Sequence, residues 1–560
     1  MSRQQKHSSS MSIKKEKGAH RIIVGVDYGT TYTDIKHICN WPGPTKETEI
    51  VFKAPSRIAY PDGDLPPAVP KWGYEVQPGM TAYSWTKLLL DSDTLWTQYD
   101  DSTLEYASQT GILQLPPGRT AIDVVADYLT QVYQFTLKTL AKQITEQALR
   151  ITPIEFCASR PEDRIFLISE PEAAAVTALH KYTTCSMGGS PGDGVLVCDC
   201  GGGTVVSSIS SLLDSIRVSL SPQDLTTFLV TQTSPVLTFE ELCAGIGCKF
   251  GSSAIDRSFY RLMFQRFGSA FENLSPRYTG PGSSFMNKFE IVKRGFGQTP
   301  QTSFELPLKM KLCRPDPAHY DEEERLVTID ENDLHAMFNP VVDKVLSLVR
   351  QQIDDAKVEA GKDVLNRIIL VGGFGDSEYL HQEMVKAFGS NGKITITVPN
   401  YAQAAIVQGA ALRGLQGLQP TTRRCRRHYG FKLGMPFVKG VDDESDAYID
   451  EWTGLKYTAR SMKWMISKVS QHDHFQANKA CEARSHSEGI YPVGEIITDF
   501  TNTDLSRFET KVIDGKLKYR LDYETKVIFG AEEGVLKFES TSQGRTIGQT
   551  SIRFKTVKFY

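Results

Sequence analysis

A chain of 560 residues with a net charge of −3 is too long for one ordinary hydrophobic core, which predicts two or more domains. The near-neutral charge excludes a whole-molecule field that would hold the protein on nucleic acid or on an anionic membrane, and no apolar run approaches membrane-spanning length. Apolar residues at 40 % and charged residues at 23 % are typical of a globular protein. We therefore expect neither nucleic acid nor a membrane among its partners.

The cysteines and the first residues indicate the compartment. Ten cysteines are scattered without a dense disulfide framework, and no apolar secretory segment precedes them. This usage favours a reducing compartment, either the cytoplasm or the nucleus. Residues 1–20 are polar and basic with almost no large apolar side chain, which predicts a disordered tail.

Three apolar segments have the pattern of buried strands that end abruptly in glycine. The segments and the turns that follow them are residues 21–27 before YGTT, residues 194–199 before CGGGT, and residues 367–371 before GG. Helical spacing of apolar residues predicts helices over residues 121–141 and 340–356, the second beginning at Pro340. Strands that alternate with helices indicate an α/β architecture.

The sequence changes in character after residue 415. Residues 416–428 include a basic run and are interpreted as a solvated linker, with a nuclear-import or anion-contact patch as the alternative. Beyond them, alternating patterns such as residues 516–523 predict a mostly β domain. The predicted division is a tail at 1–20, a nucleotide-binding domain at 21–415, a linker at 416–428, and a β-rich domain of unknown role at 429–560.

The first turn has the chemistry of a phosphate cradle. A strand ends in Asp27 and is followed by Gly29, Thr30 and Thr31. Glycine has no Cβ, so its backbone N–H can approach a phosphate closely, and the two hydroxyls add donors. A glycine-rich turn after a strand is nevertheless more often only a tight turn, so this pattern is weak evidence when it stands alone.

The second turn repeats this logic and strengthens it. Its members, Gly201, Gly202, Gly203 and Thr204, follow a strand that ends in Asp199. Two such turns that face each other would grip a polyphosphate from both sides. Asp27 and Asp199 would then hold the hydration shell of a Mg²⁺ ion, which prefers to keep its waters. Neither turn has the lysine-containing pattern of a P-loop.

The three turns together resemble the phosphate-1, phosphate-2 and adenosine motifs of the actin, sugar-kinase and 70-kDa heat-shock superfamily. Three further segments resemble the heat-shock branch: residues 169–175 (SEPEAAA), residues 399–411, and the Glu-x-x-Lys-Arg pattern at 290–294. The resemblance covers residues 21–415. It implies a two-lobed actin-like ATPase fold of the ribonuclease H-like class, which binds ATP and Mg²⁺ between the lobes.

The resemblance also implies roles for individual residues. Lys87 would approach the γ-phosphate or the attacking water, Glu170 would orient that water, and Asp199 would act in catalysis. The adenosine would be bound by the residues Glu290, Lys293, Arg294, Gly372 and Gly373. The simpler interpretations are a solvated helix lysine for Lys87 and a charged helix face for the 290–294 segment.

Several departures from the heat-shock pattern affect the expected activity. Val206 stands where the chaperones have an aspartate, and Gly297 where they usually have a serine. The adenosine turn, which reads GFGD from Gly373 to Asp376, lacks their purine-packing arginine. The apolar pieces at 151–156 and 165–170 look like neighbouring strands, but residues 157–164 are too few for a helical crossover. The alternatives are a deletion, a gene model that omits coding sequence, a different pairing of the two pieces, or a frayed segment. We therefore expect ATP binding to survive better than hydrolysis.

Three functions remain open at this stage. The first is a slow ATPase whose nucleotide state regulates the β-rich domain and, through it, a protein client or regulator. The second is a sensor or scaffold that binds nucleotide without useful hydrolysis. The third and weakest is a small-molecule kinase. The carboxy-terminal region lacks the usual acidic-apolar linker and helical lid of the chaperones, so peptide binding is not carried over.

Overall fold

The computed structural model describes only part of the chain. The described residues are 21–35, 38–46, 51–61, 69–90, 114–152, 154–155, 168–184, 190–202, 225–234, 236–248, 250–298, 300, 302–312, 316–418, 420–424, 429–466, 482–483, 494–499, 504–528, 537–542, 545–546 and 549–554. The predicted tail at 1–20, the short connection at 157–164, and Gly203, Thr204 and Val206 lie outside these residues.

Short strands form the first part of the chain. They are β1 (Ile22–Ile23), β2 (Val26–Tyr28), β3 (Tyr32–Ile35), β4 (Lys53–Pro55), β5 (Arg57–Ala59), β6 (Lys71–Trp72), β7 (Ala82–Ser84) and β8 (Ile154–Glu155). β2, β3 and β4 form one antiparallel sheet, β5 pairs with β6 and β7, and β1 pairs in parallel with β8. The strand predicted over 21–27 is split in two. The break lies at Gly25, where the backbone of Val407 approaches too closely for any side chain.

A five-stranded sheet forms the centre of the described chain, in the order β11-β10-β9-β15-β16. Its strands are β9 (Gly194–Asp199), β10 (Leu225–Gln232), β11 (Thr238–Glu241), β15 (Leu365–Val371) and β16 (Thr395–Thr397). The predictions of strands at 194–199 and 367–371 are confirmed. β9 is buried along its whole length between β10 and β15, which explains its unbroken apolar pattern. A smaller sheet contains β12 (Ser303–Pro307), β13 (Tyr320–Asp321) and β14 (Leu326–Asp330).

Helices pack on these sheets. They are α1 (Ala121–Ile144), α2 (Glu146–Ile151), α3 (Glu170–Thr184), α4 (Ser253–Phe267), α5 (Ser269–Glu272), α6 (Pro276–Thr279), α7 (Ser284–Gly295), α8 (Glu331–Ala360), α9 (Glu378–Met384) and α10 (Ala405–Gln416). Thr120 and Asp123 form a capping box that fixes the start of α1 and confirms the helix predicted over 121–141. α3 and α10 cross so closely that a Cβ at Gly409 would overlap the backbone of Ala173.

Two boundaries predicted from the sequence were wrong. α8 begins at Glu331 behind its cap Asp330, and Pro340 lies inside the helix. A proline has no N–H, so Pro340 cannot donate the usual helical hydrogen bond to the Ala336 carbonyl. Both residues face solvent, and water can donate to that carbonyl instead. Within the described residues, the strand predicted over 151–156 is present as β8 at Ile154–Glu155, and its predicted start is wrong because residue 151 still belongs to α2. The helix ends before Pro153, since the residue that precedes a proline disfavours helical backbone.

Residues 420–424, within the predicted linker, lie against the central sheet. The Thr421 N–H donates to the Phe239 carbonyl at 2.8 Å, and the Glu241 N–H donates to the Thr422 carbonyl at 3.0 Å, so this segment runs along β11. Arg423 donates two hydrogen bonds to the Glu172 carboxylate on α3. These contacts differ from the solvated linker that the composition predicts.

Strands and two 3₁₀ helices make up the described elements after residue 428. The strands are β17 (Tyr429–Pro436), β18 (Ala447–Ile449), β19 (Lys456–Ile466), β20 (Glu482–Ala483), β21 (Gly494–Asp499), β22 (Glu509–Ile513), β23 (Lys516–Arg520), β24 (Glu524–Ile528), β25 (Lys537–Ser542), β26 (Arg545–Thr546) and β27 (Gln549–Phe554). The strand pairs in this region are antiparallel. Among the helices described for the chain, none has both the length and the apolar character to cross a membrane.

Candidate functional site

The first glycine turn joins β2 to β3 and is tightly bound. The Gly29 N–H donates to the Tyr32 carbonyl at 3.0 Å, and this carbonyl leaves no room for a Cβ at residue 29. The Ser56 hydroxyl donates to the Gly29 carbonyl at 2.8 Å, and the Ser56 N–H donates to the Thr31 carbonyl. We call residues 28–32 turn A. The contacts with Ser56 fix the position of its backbone before any ligand binds.

The second turn follows β9, and we call its described residues, 200–202, turn B. Gly202 lies directly against Thr31, since a Cβ at residue 202 would overlap the threonine side chain. Turns A and B therefore meet, as the sequence predicts. A Cβ at Gly201, by contrast, would have no heavy atom of the described residues within 4 Å. Open space thus adjoins the backbone of Gly201, while Gly202 forms the contact with turn A.

The third turn follows β15, the parallel neighbour of β9, and we call residues 372–375 turn C. Val371 is the cross-strand partner of Asp199, so turns B and C leave the sheet at the same edge. Gly372 has φ +83°, and a Cβ there would overlap the Asp199 carboxylate. The N–H groups of Phe374 and Gly375 both donate to the Cys200 carbonyl. Glycine at 372 lets turn C approach Asp199, and open space adjoins Gly373.

Lys87 and Glu170 come together beside turn A. Lys87 lies in a 3₁₀ helix (Thr86–Leu89) and is 8 % exposed, so it is not the solvated residue of the simpler interpretation. Its Nζ donates to Glu170 Oε1 at 2.7 Å, at the start of α3. Burial acts to lower the pKa of Lys87, but the charge of Glu170 and this hydrogen bond raise the pKa overall. Lys87 is therefore held as a cation.

The 290–294 segment forms a network of ion pairs on α7. Lys293 Nζ lies 2.6 Å from Glu290 Oε2 and 2.8 Å from Asp256 Oδ1, and Arg294 Nε donates to Glu290 Oε1 at 2.9 Å. Burial raises the pKa of Asp256 to about 6, although the positive charge of Lys293 acts to lower it. The Arg294 guanidinium lies 4.8 Å from the centre of the Tyr32 ring. Arg294 therefore connects α7 to the end of turn A.

Two charged residues of this site were not identified from the sequence. Lys53 on β4 places its Nζ 3.7 Å from Asp27 Oδ2. Asp34 on β3 is 2 % exposed, and within the described residues its Oδ2 has no hydrogen-bond partner. Burial raises the pKa of Asp34 to about 7, with Lys53 opposing that rise. No local motif marks these residues, because only the pairing of β2, β3 and β4 brings them beside Asp27.

The Asp27 carboxylate fits a hydrated Mg²⁺ poorly, because a lysine ammonium lies beside it. Lys53 already lies close to Asp27 as a counter-ion. Burial raises the pKa of Asp27, the charge of Lys53 opposes this rise, and the charge of Glu170 adds to it. Within the described residues, no group of three or more histidine, cysteine or acidic side chains is arranged to hold a metal ion. Magnesium binding by Asp27 and Asp199 stays a prediction from the resemblance.

Two cavities adjoin these elements. One of about 20 Å³, roughly the size of a single water, lies behind turn B and is lined by Asp199, Gly201 and Phe374. The other, of about 770 Å³, borders Ile291 and Gly295 of α7. At 100° per residue, Ile291 and Gly295 lie about 100° around the axis of α7 from Glu290 and Arg294. The larger cavity therefore borders a different side of α7 from Glu290 and Arg294, and it is also lined by Gly297.

Comparison with known proteins shows that the chain is distantly similar in sequence to proteins of the heat-shock-70 class. It is 25 % identical over 267 residues to heat shock 70 kDa protein 12A of Homo sapiens and to that of Mus musculus, and 24 % identical over 267 residues to heat shock 70 kDa protein 12B of Homo sapiens. Each match covers 44 % of this chain. The chain spans only about a third of each relative's own length: 36 % for the two 12A proteins and 35 % for 12B. No known protein-family profile matches the chain.

Proposed function

We propose that this chain is a nucleotide-binding protein of the heat-shock-70 type, with an actin-like ATPase domain at residues 21–415 that binds ATP. The observation that carries the proposal is the meeting of the three glycine turns: Gly202 contacts Thr31, and Gly372 contacts Asp199. Each turn alone is common in proteins. Three that converge on buried carboxylates, with a buried lysine beside them, form an arrangement that a polyphosphate fits.

The phosphates would lie against the open sides of the turns. Space adjoins the backbone at Gly201 and Gly373, where N–H groups can donate to phosphate oxygens. Thr30 and Thr31 add hydroxyls from turn A. Gly203 and Thr204 complete turn B by the resemblance. Because Ser56 and the contacts between turns fix these groups in advance, little ordering is needed when a ligand binds.

Hydrolysis would depend on the Lys87–Glu170 pair. The Lys87 ammonium neutralises charge on the terminal phosphate, and the Glu170 carboxylate accepts a hydrogen bond from the attacking water. Glu170 has a side-chain exposure of 43 % while one oxygen is bound to Lys87, so its other oxygen can reach a water. ATP, when bound, supplies the phosphoryl group for this reaction. The pair also restrains Glu170, and we propose slow turnover.

The base would lie near α7, turn C and Tyr32. Arg294 and Tyr32 present a guanidinium plane and an aromatic ring 4.8 Å apart, and either can stack on a purine. Glu290 and Lys293 hold Arg294 in place through the ion-pair network. Turn C lacks the usual arginine of the chaperones, so Arg294 is the cation available for the base on this side.

The second candidate is a sensor or scaffold that binds nucleotide without useful turnover. Lys87 neutralises Glu170 at 2.7 Å, and Val206 removes one carboxylate that the chaperones have, and both features favour binding over hydrolysis. A small-molecule kinase is less favoured, because the 290–294 segment resembles the heat-shock branch. In either leading case, we propose that nucleotide state affects residues 429–560 and a protein client or regulator that they bind.

Isothermal titration of the full chain with ATP, ADP and AMP tests the proposed function. We expect ATP and ADP to bind and AMP to bind much more weakly, because the turns contact the β- and γ-phosphates. Phosphate release measured on the same sample then separates the slow ATPase from the non-hydrolysing sensor. Absence of binding by all three nucleotides, in buffer with Mg²⁺ and in buffer without it, would contradict the proposal.

A further inference from the structure

Three charged residues lie in one row across the sheet of β2, β3 and β4. Asp27 on β2 is the direct cross-strand partner of Asp34 on β3, and Asp34 is the partner of Lys53 on β4. Directly opposed residues of antiparallel strands project from the same face, with Cβ atoms about 5 Å apart. The register of the sheet therefore places two carboxylates and one ammonium side by side at the base of turn A.

This row is largely removed from water. Asp27 and Asp34 are 6 % and 2 % exposed, and the Lys53 side chain is 11 % exposed. Opposed like charges destabilise a sheet, and a buried carboxylate without a counter-ion is costly. Lys53, at the end of the row, supplies the counter-ion. Its Nζ lies 3.7 Å from Asp27 Oδ2, and its charge also acts on Asp34.

We propose that the Lys53 ammonium takes the place that a magnesium ion would have beside Asp27, so that this chain binds nucleotide phosphates without a divalent cation. The inference rests on the proposed nucleotide function. Protein-bound Mg²⁺ keeps several waters and is held by one or two carboxylates together with the substrate phosphates. An Asp27 carboxylate that already faces a fixed ammonium offers such an ion little net negative charge.

A lysine can neutralise phosphate in the same position. Its ammonium is a compact point charge with three donors, so it can bond Asp27 and a phosphate oxygen at once. Lys87 adds a second buried cation, whose charge also acts on Asp27. The charges of two buried lysines thus act on Asp27, at the base of turn A. Free ATP carries more negative charge than its magnesium complex, and this arrangement is suited to the free form.

The test measures ATP binding by the full chain with excess Mg²⁺ and with excess EDTA, by isothermal titration. We expect the two Kd values for the natural chain to differ by less than about threefold. Lys53→Met should weaken binding in EDTA about tenfold or more, since one charge-assisted hydrogen bond to phosphate is lost. Mg²⁺ should restore part of the affinity of Lys53→Met, because Asp27 then becomes available to the ion.

Three further variants complete the design. Lys53→Arg keeps the charge and should keep binding in EDTA. Lys71→Met removes an exposed lysine of β6 and should change nothing. If Lys53→Met fails to fold because two carboxylates lose their counter-ion, Lys53→Met combined with Asp34→Asn removes one of those charges and serves in its place.

The outcomes separate the inference from the function on which it rests. Binding by the natural chain only when Mg²⁺ is present would overturn the role of Lys53 and leave the proposed function standing. Binding in EDTA that is equal for the natural chain and the folded Lys53→Met variant, alone or combined with Asp34→Asn, would also overturn it. No binding under either condition would overturn the proposed function itself.

Discussion

Gly202 and Thr31 are in contact across two turns that lie far apart in the sequence, and a Cβ at residue 202 would overlap the threonine hydroxyl and methyl. The neighbouring Gly201 has open space where its Cβ would be. Two adjacent glycines of turn B thus have different tasks. One lets turns A and B meet, and the other leaves backbone accessible to a ligand.

Gly201→Val should weaken ATP binding while leaving thermal stability unchanged. A Cβ at residue 201 meets no heavy atom of the described residues within 4 Å, so the valine side chain should extend into the space that a phosphate would occupy. We expect affinity to fall about tenfold or more, since a hydrogen bond to a charged group contributes about 1.5–3 kcal/mol. Titration calorimetry and a melting curve check both parts. Gly202→Val is the comparison, and it should lower the melting temperature. Unchanged ATP affinity in Gly201→Val would remove turn B from the phosphate site.

Glu170→Gln should separate hydrolysis from binding. The amide keeps the shape of the side chain but cannot accept a proton or orient water as a carboxylate does. We expect phosphate release to slow by about 100-fold, within the usual contribution of such a group, with the Kd for ATP changed by less than about threefold. Single-turnover phosphate release is the measurement. If the rate is the same in both proteins, Glu170 has no part in the reaction.

Arg294→Ala should reduce the factor by which the protein binds ATP more tightly than inorganic tripolyphosphate. Its guanidinium contacts Tyr32 and is held by Glu290, so its loss removes a stacking surface for the base and leaves the phosphate turns intact. Cation–π stacking contributes about 0.5–2 kcal/mol, which predicts a loss of up to about 30-fold for ATP. Competition between the two ligands measures this directly. Arg277→Ala, an exposed arginine of α6, is the control. An equal loss for both ligands would instead assign Arg294 to the phosphates.

Asp34→Asn should stabilise the protein at pH 8 and have little effect at pH 4. Burial raises the pKa of Asp34 from 3.8 to about 7, so the folded state holds this proton more tightly than the unfolded chain does. Between about pH 4 and pH 7 the unfolded chain releases this proton while the folded protein keeps it. The natural chain therefore loses folding stability as the pH rises through this range. The amide has no such dependence. Melting curves across this range test the sign, with exposed Asp321→Asn as the control. Equal shifts at both pH values would contradict a raised pKa.

The sequence predicted those features that depend on local pattern. The strand at Gly194–Asp199 follows from an apolar run that ends in glycine, and the repetition of that pattern marked turns A and B as a pair. The Asp27–Asp34–Lys53 row was missed because it depends on the register of three strands, which no single segment encodes. The start of α8 was missed because Pro340 is a strong signal for a helix start, whereas its position on the solvent face made it acceptable inside the helix.

The pairing of residues 421–422 with β11 bears on where this chain can be cut. β11 is at the edge of the described central sheet, and the segment covers it by hydrogen bonds to Phe239 and Glu241. A fragment that stopped at residue 415, where the helical pattern ends, would expose those backbone groups. Open strand edges pair with other chains and promote aggregation. A fragment that keeps residues up to 424 would retain the cover and the Arg423–Glu172 contact, and is the better boundary for a soluble amino-terminal half.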